Sequence, residues 1–206
     1  MKSRICLILV LLAIFWGVGM AGAAIPGPTE QLRGTIDRII ETLRDKSLPR
    51  DQMLSRVSVL VRSKFDFWAM SQRTLAVNWN RATPEQRQRF VALFSQLLED
   101  TYRERIGSYT YQNEYVKYIS EKVEGTRGEV HTLVVANNEI PVTYRVRLKG
   151  QEWLVYDVVV EEVSLISNYR STYNEIVRRE GMDGLLKRME ERIRELQAAN
   201  KKGAAQ

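Results

Sequence analysis

Residues 140–161, IPVTYRVRLKGQEWLVYDVVVE, read as two strands joined by a tight turn. In the first strand Ile140, Val142, Tyr144, Val146 and Leu148 alternate with Pro141, Thr143, Arg145 and Arg147. A period of two sends successive side chains to opposite faces, so one face meets apolar material and the other meets water. Lys149-Gly150 turns the chain. The run from Trp153 to Glu161 is apolar on both faces apart from Asp157, which predicts an interior strand covered on both sides, at least in part. A carboxylate in such a strand calls for a cationic partner or a capping role. Facing a ligand is the alternative.

The same period extends upstream. Tyr115 to Glu124 reads as a strand, Gly125 to Gly128 as a turn, Glu129 to Ala136 as the next strand and Asn137-Asn138 as another turn. Further toward the N-terminus the spacing becomes helical. Leu32, Ile36, Ile39, Ile40 and Leu43 mark a helix between Pro28 and Lys46. Pro49 opens a second, with Met53, Leu54, Val57, Leu60 and Val61, and a short third runs from Asp66 to Leu75. Thr83-Pro84-Glu85-Gln86 is a capping-box start for a fourth, which carries Phe90, Phe94, Leu97, Leu98 and Tyr102 to about Ile106. After the last strand come a helix from Leu165 to Arg179, ended by Gly181, and another from Asp183 bearing Leu185, Leu186, Met189, Ile193 and Leu196. The expected fold is a single α+β domain: a four-stranded antiparallel meander packed against N- and C-terminal helices.

The first two dozen residues follow a different logic. Lys2 and Arg4 precede an apolar run from Ile5 to Met20, and Ala21-Gly22-Ala23-Ala24 is small throughout. That layout predicts a secretory signal peptide over 1–23, cleaved after 23 or 24, with the domain over 24–206 and a frayed tail from about 198. Cys6, the one cysteine, lies within the apolar run, so the exported chain has no thiol. The formal charge of +6 loses Lys2 and Arg4 with the leader, which leaves +4, spread along helices rather than blocked. Such spacing reads as a solvated surface and argues against nucleic acid as a partner.

Catalytic motifs are missing. His131 is the sole histidine and sits in a strand, a structural position, and there is no G-x-S-x-G elbow. No cluster of Cys, His and carboxylates has metal-ligand spacing, and no glycine-rich phosphate loop occurs. The residues therefore predict no enzyme, no metal and no cofactor.

Three ordered segments carry a family likeness. The first is Phe65-Asp66-Phe67, Leu75 and Trp79, Thr83-Pro84-Glu85-Gln86, and Phe90 through Phe94 to Tyr102. The second is Trp153-Leu154-Val155-Tyr156-Asp157-Val158 followed by Val163-Ser164-Leu165-Ile166-Ser167-Asn168-Tyr169-Arg170, and the third is Gly181-Met182-Asp183-Gly184-Leu185-Leu186. Together they resemble the MlaC/toluene-tolerance family over nearly all of the exported chain. Two positions depart from it: Ala76 and Glu162 stand where the family usually has glycine. If the family's glycine at the second position holds a positive φ, Glu162 is strained there; the alternative is a local backbone that tolerates both residues, with Glu162 altering the edge of a pocket.

The resemblance implies a periplasmic phospholipid shuttle, part of an MCE-type ABC transport system that maintains outer-membrane lipid asymmetry. Implied partners are phospholipid, an inner-membrane MCE-domain protein with its ABC transporter, and an outer-membrane lipoprotein/porin complex. A hopanoid is an alternative cargo, and an exported scaffold with a filled core or a cone-shaped enzyme are alternative roles.

A shuttle has to hide acyl chains, each CH₂ of which gains about 0.8 kcal/mol on burial. The expected pocket is lined from the sheet by Leu133, Val135, Val142, Tyr144, Val146 and Val155, and from the helices by Phe67, Phe94, Leu97, Leu98 and Tyr102. Tyr169 and Tyr173 are placed near its mouth, and Arg170 is a possible head-group contact. The N-terminal helices, or the short one near Phe67, are expected to open against the sheet.

Overall fold

The computed structural model describes residues 25–108, 114–136 and 138–203. The predicted leader and cleavage point, and Asn137 of the predicted turn, lie outside the described residues. Five helices, α1 (Pro28–Arg44), α2 (Arg50–Lys64), α3 (Phe67–Leu75), α4 (Val77–Arg81) and α5 (Pro84–Ser108), precede the sheet. The strands are β1 (Tyr115–Glu124), β2 (Arg127–Val135), β3 (Glu139–Lys149), β4 (Glu152–Val160) and β5 (Val163–Ser164), and α6 (Leu165–Gly203) closes the chain. Gly181, at φ +72° and ψ −178°, breaks α6 into the two predicted helical segments, and the second continues past residue 198 to Gly203.

The sheet is an antiparallel meander in the order β1-β2-β3-β4-β5, so it has five strands rather than four. The extra strand is only two residues long, Val163 and Ser164 against Val160 and Val159, too short to show a period in sequence. Tight turns join β1 to β2 and β3 to β4, with Gly125 at φ +60° and Gly150 at φ +63° supplying the backbone that such hairpins need.

A bulge in β4 explains its unusual composition. Val146 pairs with Val155 and Arg145 with Asp157, which leaves Tyr156 as the extra residue. Without the bulge Val155 and Asp157 would share a face; with it they point to opposite faces. Val155 packs beneath α1 with Leu32, Val130, Val146 and Trp153. Asp157 is buried on the other side, accepting from Arg145 Nη1 at 3.1 Å, Ser164 Oγ at 2.7 Å and the Ile166 amide at 3.1 Å. It is both ion-pair partner and cap of α6.

Other helix starts are set in the same way. Thr83 Oγ1 accepts from the Gln86 amide at 3.2 Å, and Gln86 Oε1 accepts from the Thr83 amide at 3.0 Å, the reciprocal capping box. Asp66 caps α3 through the Ala69 amide at 2.9 Å and meets Arg147 Nη2 at 2.7 Å. The main helical core joins α3, α4, α5 and α6 around Met70, Phe90, Phe94, Ile166, Tyr173, Leu185 and Leu186. The short helix α4 was not foreseen; it follows directly from the turn at Ala76.

That turn is strained. Ala76 has φ +50° and ψ −119°, and Glu161 and Glu162 have φ +48° and +68°. Both departures from the family's glycines thus fall where an L side chain is disfavoured. Ala76→Gly and Glu162→Gly are each expected to stabilise the protein by about 1 kcal/mol, and Thr83→Ala to destabilise it by about 1 kcal/mol, read as shifts of the urea midpoint.

Candidate functional site

The hairpin of α1 and α2 lies over the face of the sheet that carries the even-numbered residues of β2 and β3 together with Val116, Tyr118 and, past a bulge in β1, Glu121. Between hairpin and sheet is an apolar cleft of about 230 Å³. From α1 it is lined by Leu32, Thr35, Ile36, Ile39, Ile40 and Leu43, and from α2 by Val57, Val61 and Lys64. Phe65, Glu114, Tyr115, Val116, Val134 and Tyr144 complete it. Helical spacing brings the α1 isoleucines onto one stripe, and strand alternation brings Val116, Val134 and Tyr144 to meet them.

The lysine in this apolar wall is bound at its tip. Lys64 is buried, and its Nζ donates to Gln31 Oε1 at 3.1 Å and Glu152 Oε2 at 2.9 Å. Gln31 Oε1 also accepts from the Trp153 amide at 3.0 Å, and its Nε2 donates to the Gln151 carbonyl at 2.9 Å. Burial pushes the Tyr144 phenol up to about 12. On the same face Tyr118 is pushed up as well, first by burial and then by the charge of Asp37, and the Arg33 guanidinium sits 4.2 Å from its ring centroid.

Of the expected lining, Tyr144 borders this cleft. Val146 and Val155 share its face but are fully packed under Leu32, and Val142, on that same face, is buried between Thr132 and Val160. Leu133 and Val135 fall on the opposite face, because Val134 is the β2 residue that points to the cleft. The β2 run Leu133-Val134-Val135 is apolar at successive positions, so its composition does not choose between faces. Phe94, Leu97, Leu98 and Tyr173 instead fill the helical core, with Phe67, Tyr102 and Tyr169 packed against it. The Phe94 ring meets Tyr169 at 5.3 Å. Arg170 Nε donates to the Arg73 carbonyl at 2.8 Å, closing the end of α3. His131 Nδ1 lies 2.9 Å from Thr143 Oγ1.

Sequence reasoning missed the α1 stripe as a lining, although it had read its helical spacing. The available signal was its breadth: Ile36, Ile39, Ile40 and Leu43 form an apolar face with only a short hairpin partner to cover it. Among the described residues no helix is long and apolar enough to cross a membrane, and no group of His, Cys, Asp and Glu is arranged to hold a metal.

The family model described as MlaC protein matches residues 33–191. The chain belongs to the MlaC family. Two relatives within reach of it are the intermembrane phospholipid transport system binding protein MlaC of Haemophilus influenzae, 26% identical over 58% of this chain and 58% of that protein, and the toluene tolerance protein ttg2D of Pseudomonas putida, 28% identical over 85% and 83%. A phospholipid-binding protein from Ralstonia solanacearum, solved in complex with a phospholipid, superposes with a TM-score of 0.73 at 26% identity, covering 81% of this chain and 97% of that one. The family match at 33–191 takes in most of α1, helices α2 to α5 and all five strands.

The raised phenol of Tyr144 gives a pH test of the cleft. A tyrosine that ionises near 10 when unfolded and near 12 when folded contributes stability that is present below pH 10 and lost as pH rises toward 12. The urea midpoint should fall across that window, and Tyr144→Phe should make the fall shallower.

Proposed function

We propose that this MlaC-family chain is a periplasmic phospholipid carrier, shuttling lipid between inner- and outer-membrane complexes and so helping to maintain outer-membrane lipid asymmetry. The observation that carries this reading is the apolar cleft between the α1–α2 hairpin and the sheet, in a fold that superposes on a phospholipid-bound protein. Acyl chains would lie against the α1 isoleucines, Val116, Val134 and Tyr144. This is a binding role and asks no covalent chemistry of the chain. The leader read at residues 1–23 supports export, and the intermembrane phospholipid transport system in the name of the Haemophilus relative supports a place in such a system. The partners implied by the family resemblance are an inner-membrane MCE-domain protein with its ABC transporter and an outer-membrane lipoprotein/porin complex.

The cleft as it stands, about 230 Å³, is smaller than the roughly 300–1,000 Å³ of typical ligand sites. Two acyl chains therefore require the hairpin to swing outward. Mass spectrometry of organic extracts from the purified protein is expected to show phospholipid at one equivalent; a protein free of lipid from every preparation would sink the proposal. Because Cys6 is the chain's one cysteine, Ile39→Cys with Val116→Cys can be joined by a short bifunctional maleimide in the leaderless protein. Transfer to acceptor vesicles should stop when the link is made.

A further inference from the structure

We infer that Lys64 and Gln31 form a latch that holds one end of the α1–α2 hairpin to the sheet and sets the rate at which the cleft opens. The inference rests on the lipid-carrier reading for its consequence, but its structural part stands alone. Lys64 ends α2 and Gln31 lies near the start of α1, so in an antiparallel hairpin they meet at the same end. There the Lys64 amine bridges Gln31 Oε1 and Glu152 Oε2, and Gln31 joins the Trp153 amide and the Gln151 carbonyl of the β3–β4 hairpin. Glu121 Oε2 adds a bond to the Thr29 amide at 2.7 Å, and Arg62 pairs with Glu99 on α5. At the other end of the hairpin Arg44 Nη2 donates to the Glu114 carbonyl at 3.1 Å, and Arg103 lies 3.9 Å from Asp51.

Lifting the Lys64 end of the hairpin has to break the bonds of Lys64 to Glu152 and of Gln31 to the Trp153 amide and the Gln151 carbonyl together, which is what makes the cluster a latch. Lys64 differs from an ordinary surface cation in this respect: its side chain is 8% exposed, against 65% for its partner Glu152. Carboxylate and amide together hold it in place.

The test is Lys64→Met, which keeps the length and packing of the side chain and removes the charge, so that no unpaired ammonium is left behind. Glu152→Gln is the milder variant and guards against misfolding of the first. Hydrogen exchange of residues 28–64 in each protein is expected to speed up by roughly tenfold, since bonds to a charged group are each worth about that factor. Release of phospholipid to acceptor vesicles should accelerate in step, with bound lipid at equilibrium still present. Unchanged protection of 28–64 in both variants would overturn the latch even if lipid is carried. Faster exchange in a protein that never holds lipid would keep the latch and remove the carrier reading.

Discussion

A carboxylate withdrawn from water must fill its lone pairs or raise the energy of the fold by several kcal/mol, and Asp157 is the place where this chain meets that demand. One oxygen takes Arg145 of the neighbouring strand and Ser164 of the next; the other takes the Ile166 amide at the start of α6. A single group thus fixes the register of β3 with β4, the corner into β5 and the direction of the last helix. Asp66 does a parallel service two positions along β3, pairing with Arg147 while capping α3. The two arginines on the polar face of β3 are what the helical layer is hung from. The bulge at Tyr156 makes this possible, because it turns Asp157 toward Arg145 while leaving Val155 in the apolar floor on the other face.

Those features were legible to different degrees. The alternation from Ile140 to Leu148 and the turn at Gly150 are local properties of the chain, so they can be read directly. The same holds for the box of Thr83 and Gln86, whose two bonds close within four residues. Asp157 stood out because its surroundings are apolar, and its pairing followed from the cost of leaving it alone. What sequence could not carry is which apolar surfaces are left without a full complement of neighbours. Phe94 and Ile39 are both apolar residues at helical spacing; only the packing shows that Phe94 is walled in by Tyr169 and Tyr173 while Ile39 borders open volume. A two-residue strand and a five-residue helix likewise offer no period to detect. The strain at Glu162 was foreseeable only as a condition on the backbone angle, and the observed φ meets it; that at Ala76 came from the structure alone.

Ala76 lies between α3 and α4, and Glu161 and Glu162 lie between β4 and β5. Positive φ at three non-glycine residues persists only if the surroundings over-determine it. The packed rings of Phe90, Phe94, Tyr169 and Tyr173 and the capped starts of α3, α5 and α6 stiffen the helical layer that adjoins these turns.

This division bears on which helices admit a lipid. Two chains of sixteen carbons represent on the order of 25 kcal/mol of gross hydrophobic transfer, so the opening that receives them must expose apolar surface and very little else. Lifting α3 would part Asp66 from Arg147, and lifting α6 would part Asp157 from the Ile166 amide; either motion strips a buried carboxylate of a partner in a place that acyl chains cannot solvate. Lifting α1 and α2 from the cleft parts isoleucine and valine from valine and tyrosine, and hydrocarbon can replace those apolar contacts with ones of the same kind. In the proposed carrier the hairpin serves as the gate, because it is the part of the structure whose apolar contacts with the sheet a lipid can itself replace.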